Sequence, residues 1–369
     1  MTGPNYASRR SRLVRSLKVP GIDGLLVSGV ANVRYLTGFS GDSTWLFVSS
    51  ATTVLISDTR YQTQLATECP GVEAVIRDAT TSMMEFVSQL LQKTKVKRLG
   101  IEADHLTVAQ HAVLAEKLPN VELVSTSDLT ERLRSVKDRW ELQQIRDAIA
   151  MAERGISVVC SSLRPDQTER EIRYLLEAAM RDFGANGPAF EPIVGVGPTG
   201  ALPHAHAGDL RVGESPMLLI DWGAETRTGY RSDLTRAFIT GKPTKQMRTV
   251  YETVLAAQQA AIAAIKPGVL CRDVDAVARG MIADAGYGRH FGHGLGHGFG
   301  LEIHESVRLS PLSEETLRPG TVVTVEPGIY LRDRFGVRIE DDVLVTKDGC
   351  EVLTSVPREF EQAVMDFLA

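Results

Sequence analysis

The chain has 369 residues, enough for two domains, and its 43% hydrophobic and 24% charged residues are typical of a folded globular protein. Its net charge of −5 argues against a nucleic-acid partner, which usually needs a basic surface. It contains no run of about 18 apolar residues and no apolar leader, which predicts a cytoplasmic protein without a membrane partner.

The first third of the chain alternates strand-like and helix-like segments. Short runs rich in β-branched residues predict strands at residues 24–29, 44–50, 53–58, 73–77, 98–103 and 121–126. Helical periodicity predicts helices at residues 82–93 and 107–118. These patterns predict an α/β domain over residues 1–130.

The pattern changes near residue 130. Residues 129–163 form a long charged stretch of helical character without proline or a turn cluster, which predicts the bridge between two domains and the first helices of the second. A second helix is predicted over residues 168–184, because Thr168 and Glu171 form a capping-box pattern and Gly184 can end the helix. We therefore expect a second domain over residues 131–369.

The rest of the second domain mixes both types of element. Strands are predicted at residues 216–225, 228–240, 321–330 and 336–346, and helices at residues 246–265 and 272–286. Short turns between neighbouring strands favour antiparallel pairing. The predicted class of this domain is therefore α+β.

Four acidic residues interrupt apolar strands of the second domain. Asp221 ends one strand and Asp233 begins the next, so both can point to one side of a hairpin, and Glu326 and Glu340 repeat this arrangement. Taken singly, each acid can cap a strand or pair with an arginine, for which the candidates are Arg236, Arg334 and Arg338. Together, four buried carboxylates are costly unless positive charge neutralises them. We therefore predict a pair of divalent cations.

A glycine-rich segment, "FGHGLGHGFGLEIHE" at residues 291–305, adds three histidines to this set, namely His293, His297 and His304. The alternating glycines let backbone and ligand approach closely. A ligand set of several carboxylates with one imidazole suits Mn²⁺, Co²⁺, Zn²⁺ or Fe²⁺. Which histidine binds metal stays open at this point.

Six ordered motifs resemble the pita-bread metallopeptidases, and within them the Xaa-Pro peptidases. They are "GIDGLLVSGVANVRYLTGFSG", "LPHAHAGD", "IDWGAETRTGYRSDLTRAF", "GHGLGHGFGLEIHE", "VVTVEPGIY" and "GVRIEDDVLVT". The resemblance implies a creatinase-like N-terminal domain and a pita-bread catalytic domain. It also implies two divalent metal ions, with Mn²⁺ favoured, held by Asp221, Asp233, His297, Glu326 and Glu340.

One spacing departs from the family pattern. The two aspartates are twelve residues apart in this chain, whereas the family separation is eleven. An extra residue within a strand would turn one aspartate to the wrong face. We expect the turn-like "ETRTG" at residues 225–229 to absorb it, so that Asp221 and Asp233 both remain ligands.

The resemblance also implies the reaction, which is hydrolysis of the amide bond between a first residue and a following proline. Glu326 transfers the proton, and His304 and His204 stabilise the intermediate. The resemblance implies that His293, Tyr330 and Arg338 form the proline pocket. The structural alternative for Tyr330 is ordinary packing. The structural alternative for Arg338 is an ion pair with Asp341 or Asp342.

Arg308 resembles an arginine that binds the substrate carboxylate, which favours an Xaa-Pro dipeptidase (prolidase). Aminopeptidase P, which acts on longer peptides, stays the alternative. A metal-free creatinase-like hydrolase and a non-catalytic peptide-binding module are further alternatives, but both usually lack the ligands that this chain retains. The resemblance further implies a homodimer.

Overall fold

The computed structural model describes residues 3 to 365. It divides into two compact units, the first ending at Arg134 and the second beginning at Ser135. Among the described residues, every helix is too short or too polar to span a lipid bilayer.

The first unit contains a mixed six-stranded sheet. Its strands are β1 (Gly24–Val27), β2 (Trp45–Ser49), β3 (Thr53–Asp58), β4 (Glu73–Arg77), β5 (Arg98–Glu102) and β6 (Glu122–Thr126). They lie in the order β4-β3-β2-β1-β5-β6, with β2 antiparallel to both of its neighbours and the remaining pairs parallel. All six predicted strands are confirmed.

Six helices accompany this sheet within the described part of the first unit. They are α1 (Tyr6–Ser16), α2 (Val30–Thr37), α3 (Gln62–Glu68), α4 (Met83–Gln92), α5 (Val108–Lys117) and α6 (Glu131–Arg134). The sequence predicts α4 and α5, whose caps Ser82 and Thr107 accept hydrogen bonds from the first turn. With helices between parallel strands, the α/β class of this unit is confirmed.

The first helix of the second unit begins at Arg139. Its helices are α7 (Arg139–Ser162), α8 (Glu169–Asp182), α9 (Lys245–Ala264) and α10 (Cys271–Asp284). The helical stretch predicted at residues 129–163 contains α6 and α7, and it is interrupted at residues 135–138, which are not helical. Val136 forms a β-bridge with Thr321, and Asp138 forms a capping box with Glu141 that starts a new helix. The capping box of α8, with Thr168 and Glu171, is confirmed.

Up to residue 365, where the described part of the second unit ends, its strands form four small sheets. The strands are β7 (Gly187–Pro188), β8 (Ile193–Val196), β9 (Met217–Trp222), β10 (Ala224–Glu225), β11 (Leu234–Ile239), β12 (Gly296–Gly298), β13 (Glu305–Leu309), β14 (Val322–Val325), β15 (Gly328–Leu331), β16 (Phe335–Arg338), β17 (Asp341–Val345) and β18 (Cys350–Val352). The sheets have the orders β11-β9-β8, β13-β12-β14-β17-β18, β15-β16 and β10-β7. The pairs in the second unit are antiparallel, which confirms the α+β prediction.

Three of the predicted strands are each divided in two: the run at 216–225 is divided at Gly223, and the other two runs are divided next to a glutamate. The run at 321–330 breaks after Val325 because Pro327 has no N–H to donate to a strand ladder, and the N–H of Glu326 bonds instead to the carbonyl of Leu295 at 2.8 Å. The run at 336–346 breaks at residues 339–340, where the N–H of Glu340 bonds to Thr235 at 3.1 Å. Both breaks place a carboxylate where one sheet ends and another begins.

Candidate metal centre

Asp221 and Asp233 lie on the same face of the β9–β11 hairpin. Asp221 is directly opposite Thr235 in the antiparallel register. Directly opposite residues share a face, and residues two apart along a strand also share one. Asp233 precedes Thr235 by two residues, so its side chain lies on the face that carries Asp221.

The chain between the two aspartates forms a turn at the predicted place. Glu225 and Arg231 form an isolated bridge, and Thr226 and Gly229 close the turn between them. Gly229 has a φ of 87°, which a glycine adopts without strain. Beyond this turn, the register of β9 and β11 is regular from Leu234 and Trp222 to Ile239 and Met217.

The two glutamates approach the same place from a second pair of strands. Val325 is opposite Asp341 in the β14–β17 register, so Glu326 and Glu340 follow just beyond this last pair. Glu340 also forms an isolated bridge with Thr235, whose hydroxyl donates to Glu340 Oε2 at 2.6 Å.

Three carboxylates meet at this point. Asp221, Asp233 and Glu340 each offer an oxygen within 4.8 Å of the others, which brings them within reach of one metal ion. Thr235, at the centre of this contact, was not predicted from the sequence because its role follows from the register of three strands.

His297 faces the carboxylates from β12. Its Nε2 lies 3.3 Å from Glu326 Oε1 and 3.6 Å from Asp233 Oδ2. The strand can come this close because its glycines leave room: a Cβ on Gly296 would lie 2.0 Å from the carbonyl oxygen of Thr324. Thr324 then accepts a hydrogen bond from the backbone N–H of His297 and donates one to Glu326.

The protonation of His297 suits a metal ligand. Burial lowers the pKa of its imidazole to about 3, so the ring is neutral near pH 7. Its Nδ1 lies 3.2 Å from the carbonyl oxygen of Gly298, which can only accept, so the ring proton is on Nδ1. The lone pair of Nε2 therefore faces two carboxylates, an arrangement that a cation between them would stabilise.

The carboxylates themselves also fit a bound cation. Burial and the neighbouring Glu340, Asp221 and Glu326 hold the pKa of Asp233 well above its ordinary value. Within residues 3–365, neither Asp233 nor Glu326 nor Glu340 forms an ion pair with lysine or arginine, and Asp221 Oδ1 is buried without a hydrogen-bond partner. The donor set of four carboxylates and one imidazole therefore fits divalent metal ions.

Arg338 links this cluster to two further predicted residues. Its Nη2 donates to Asp221 Oδ2 at 2.5 Å, and its Nη1 donates to the Tyr330 hydroxyl at 2.7 Å. The Tyr330 hydroxyl lies 3.0 Å from His293 Nε2, to which it can donate its proton. The first structural alternative, an ion pair of Arg338 with Asp341 or Asp342, is not found, because Arg338 pairs with Asp221. The second alternative, packing of Tyr330, is found together with its hydrogen bonds to Arg338 and His293.

A cavity of about 450 Å³ opens beside the carboxylates. Ten of the eleven predicted site residues line it, namely His204, Asp221, Asp233, His293, His297, His304, Arg308, Glu326, Arg338 and Glu340. Tyr330 does not line it but lies behind His293 and Arg338. His204, His304 and Arg308 are exposed, whereas the carboxylates are buried or nearly so. The cavity thus has a buried acidic floor and a rim of imidazole and guanidinium groups.

The metal-free protein is expected to lose stability as the pH rises from about 6.5 to 8. Burial raises the pKa of Glu326 to about 7, and burial also raises the pKa values of Asp233 and Glu340. In the folded chain these groups keep protons that they have already released in the unfolded chain. The free energy of unfolding therefore falls as the pH rises and these protons are lost. The pKa values of His293 and His297 are lowered to about 4 and 3, so these two groups make stability rise with pH, but only below their ordinary pKa of 6.5.

Thermal unfolding of chelator-stripped protein at several pH values tests this expectation. The melting temperature should fall between pH 6.5 and 8, and saturating Mn²⁺ should remove the fall. A melting temperature that rises across this range without metal would contradict it.

Comparisons with known proteins agree over nearly the whole chain. Residues 143–347 match the model of metallopeptidase family M24, and residues 9–136 match that of the creatinase/prolidase N-terminal domain. The Xaa-Pro dipeptidase of Pyrococcus horikoshii is 34% identical over 350 residues, covering 94% of this chain and 97% of that protein.

Solved structures give the same picture. The Xaa-Pro dipeptidase from Bacillus anthracis superimposes with a TM-score of 0.91 at 35% identity, covering 96% of this chain and 99% of that one. The X-Pro aminopeptidase from Thermotoga maritima superimposes with a TM-score of 0.87 at 35% identity, covering 95% and 98%.

Proposed function

Because the chain belongs to metallopeptidase family M24, we propose that it hydrolyses the amide bond between a first residue and a following proline, with Xaa-Pro dipeptides as substrates. The observation that carries the proposal is the meeting of Asp221, Asp233 and Glu340 beside His297 and Glu326 on the floor of one cavity. Relatives named Xaa-Pro dipeptidase that match nearly the whole length of this chain support the substrate class.

Asp221, Asp233, His297, Glu326 and Glu340 would hold two divalent cations. Such ions supply Lewis acidity for the substrate carbonyl and lower the pKa of water towards neutrality. We propose Mn²⁺ as the physiological metal, with Co²⁺, Zn²⁺ and Fe²⁺ as alternatives, because the ligands are mostly oxygen with a single imidazole nitrogen.

Glu326 is suited to move the proton. Its carboxyl lines the cavity beside the other predicted ligands, and burial raises its pKa to about 7 in the metal-free chain. We propose that a Glu326 oxygen takes the proton from the attacking water and delivers it to the leaving proline nitrogen. His304 and His204, which line the same cavity, would stabilise the oxyanion of the intermediate.

His293, Tyr330 and Arg338 would form the proline side of the cavity. Burial lowers the pKa of His293 to about 4, so this wall presents a neutral imidazole. Arg308 lines the cavity from β13, and its planar guanidinium can bind the free carboxylate of a dipeptide through two parallel hydrogen bonds. This residue is the reason for proposing a dipeptidase.

Aminopeptidase P activity on longer peptides remains the second candidate, supported by the similarity to the X-Pro aminopeptidase from Thermotoga maritima. Kinetics on Gly-Pro or Met-Pro beside a matched Xaa-Pro-Xaa tripeptide distinguish the two. We expect the higher kcat/KM for the dipeptide, because only there does the proline carboxylate lie within reach of Arg308. A higher kcat/KM for the tripeptide would contradict the dipeptidase assignment.

The quaternary state and the compartment stay predictions. We propose a homodimer located in the cytoplasm. Size-exclusion chromatography with light scattering tests the first of these, and a mass corresponding to one chain of 40.3 kDa would contradict it.

A further inference from the structure

Residues 353–365 form a strap that joins β17 and β11, the strands that directly follow the predicted metal ligands Glu340 and Asp233. At its start, the N–H of Leu353 bonds to the carbonyl of Asp342, on β17, at 2.8 Å. At its other end, Ile239 of β11 donates to Ala363 and accepts from Met365, both at 2.8 Å. The strap therefore runs from the strand that follows Glu340 to the strand that follows Asp233.

A buried arginine connects the middle of the strap to both strands. The guanidinium of Arg236 donates to the strap carbonyls of Val356 at 2.6 Å and Pro357 at 3.1 Å. It also donates to the carbonyl oxygens of Thr235 at 2.9 Å and Glu340 at 2.5 Å. Its side chain is only 2% exposed, so these bonds are shielded from water.

Asp341 completes the connection. Its Oδ1 accepts hydrogen bonds from Arg236 at 2.7 Å and from the strap residue Thr354 at 2.7 Å. Its Oδ2 accepts from Gln258 of α9 at 2.6 Å and from the strap residue Arg358 at 2.5 Å. All four donors act on a carboxylate that directly follows the predicted ligand Glu340.

This network lies on the side of β11 opposite the cavity. Arg236 alternates with Thr235 along the strand, and neighbouring side chains of a strand point to opposite faces. None of the network side chains lines the cavity. Arg236, Asp341 and the strap can therefore affect the site only by holding the backbone that carries its ligands.

We propose that the strap, acting through Asp341 and Arg236, fixes the spacing of β11 and Glu340 and thereby sets the affinity of the site for divalent cations. The inference rests on the proposed function, since it concerns the same metal site. Arg236 and Asp341 are positioning residues, because they act through the ligands and touch neither substrate nor the reacting atoms. Loss of partners behind metal ligands typically weakens metal binding by about 10- to 100-fold.

The test compares Mn²⁺ affinity among variants of the full chain. Asp341→Asn removes the charge at the centre of the network, but it can prevent folding because Arg236 is left buried without its anion. Arg358→Gln is the milder variant, because the Arg358 side chain is 30% exposed. Arg358→Lys keeps a cation that can reach Asp341 and serves as the conservative rescue.

Arg248→Gln is the matched control. Arg248 lies on α9 and binds the strap residue Glu361 at 2.9 Å, but it does not touch Asp341 or Arg236. It therefore removes an arginine contact with the same strap without changing the connection to the ligand strands.

Calorimetric titration of chelator-stripped protein with Mn²⁺ and the visible absorption of Co²⁺-loaded protein provide readouts apart from activity. We expect Arg358→Gln to bind Mn²⁺ about tenfold more weakly and to show an altered Co²⁺ spectrum. Arg358→Lys should recover most of the affinity, and Arg248→Gln should match the unaltered chain.

Three outcomes would overturn the inference. Arg358→Gln with unchanged Mn²⁺ affinity would do so, even if its melting temperature falls, because the strap would then be structural only. An equal loss of Mn²⁺ affinity in Arg248→Gln would do so as well, since the strap would then affect metal binding without acting through Asp341. Failure of the unaltered chain to bind Mn²⁺, Co²⁺ or Zn²⁺ would instead overturn the proposed function, and the inference with it.

Discussion

Replacing Asp233 with alanine is expected to abolish hydrolysis of Xaa-Pro dipeptides and to remove at least about one divalent ion per chain. Asp233 lies within ligand distance of Asp221 and Glu340 and 3.6 Å from His297 Nε2. Without its carboxylate, the predicted metal site loses one of its oxygen ligands. Metal analysis after dialysis and kcat/KM for Met-Pro measure the two effects.

The stability of the same variant separates binding from folding. Burial raises the pKa of Asp233, which means that its ionised carboxylate destabilises the folded, metal-free chain. Asp233→Ala should therefore leave the metal-free melting temperature unchanged or higher, while it loses the increase that Mn²⁺ gives to the unaltered chain. The control is Asp209→Ala, an 81% exposed aspartate that pairs with Arg170. Full metal content and activity in Asp233→Ala would contradict the ligand assignment.

Replacing His297 and His304 separately is expected to distinguish a loss of metal from a loss of turnover with the metal retained. His297 is buried, and its Nε2 lone pair faces Asp233 and Glu326, so His297→Ala should lose metal. His304 is exposed at the rim, with its ring 4.4 Å from that of His297. His304→Ala should keep both ions and lower kcat by about 10²- to 10³-fold, as is usual when one group that stabilises an oxyanion is removed.

His206→Ala is the control for both histidine variants. His206 lines the same cavity but is 87% exposed and lies near Glu191 at the rim, so its removal should change neither metal content nor kcat. Metal loss in His304→Ala together with retained metal in His297→Ala would reverse the assignment of the two histidines.

Much of this architecture follows from local patterns in the sequence. The creatinase-like N-terminal domain and the pita-bread catalytic domain are confirmed by the family matches and by the superpositions. The positions of Asp221, Asp233, Glu326 and Glu340 around one cavity follow from carboxylates that interrupt apolar strands, because burying such groups requires a compensating partner.

The features that escaped prediction depend on contacts between distant residues. The break at residues 135–138 needs Thr321 as the partner of Val136, which local helix propensity cannot reveal. Thr235 acquires its role from the register of β9 and from its bridge to Glu340, more than 100 residues later. Arg236 is charged within a strand, a visible signal, but its partner Asp341 is identified only by the fold.

Metal-dependent hydrolysis of Met-Pro by chelator-stripped protein tests the central claim most directly. Stripped protein should be inactive, and titration with Mn²⁺ should restore hydrolysis as about two ions bind per chain. Hydrolysis that persists without metal, or protein that binds fewer than about one ion and gains no activity from Mn²⁺ or Co²⁺, would contradict it.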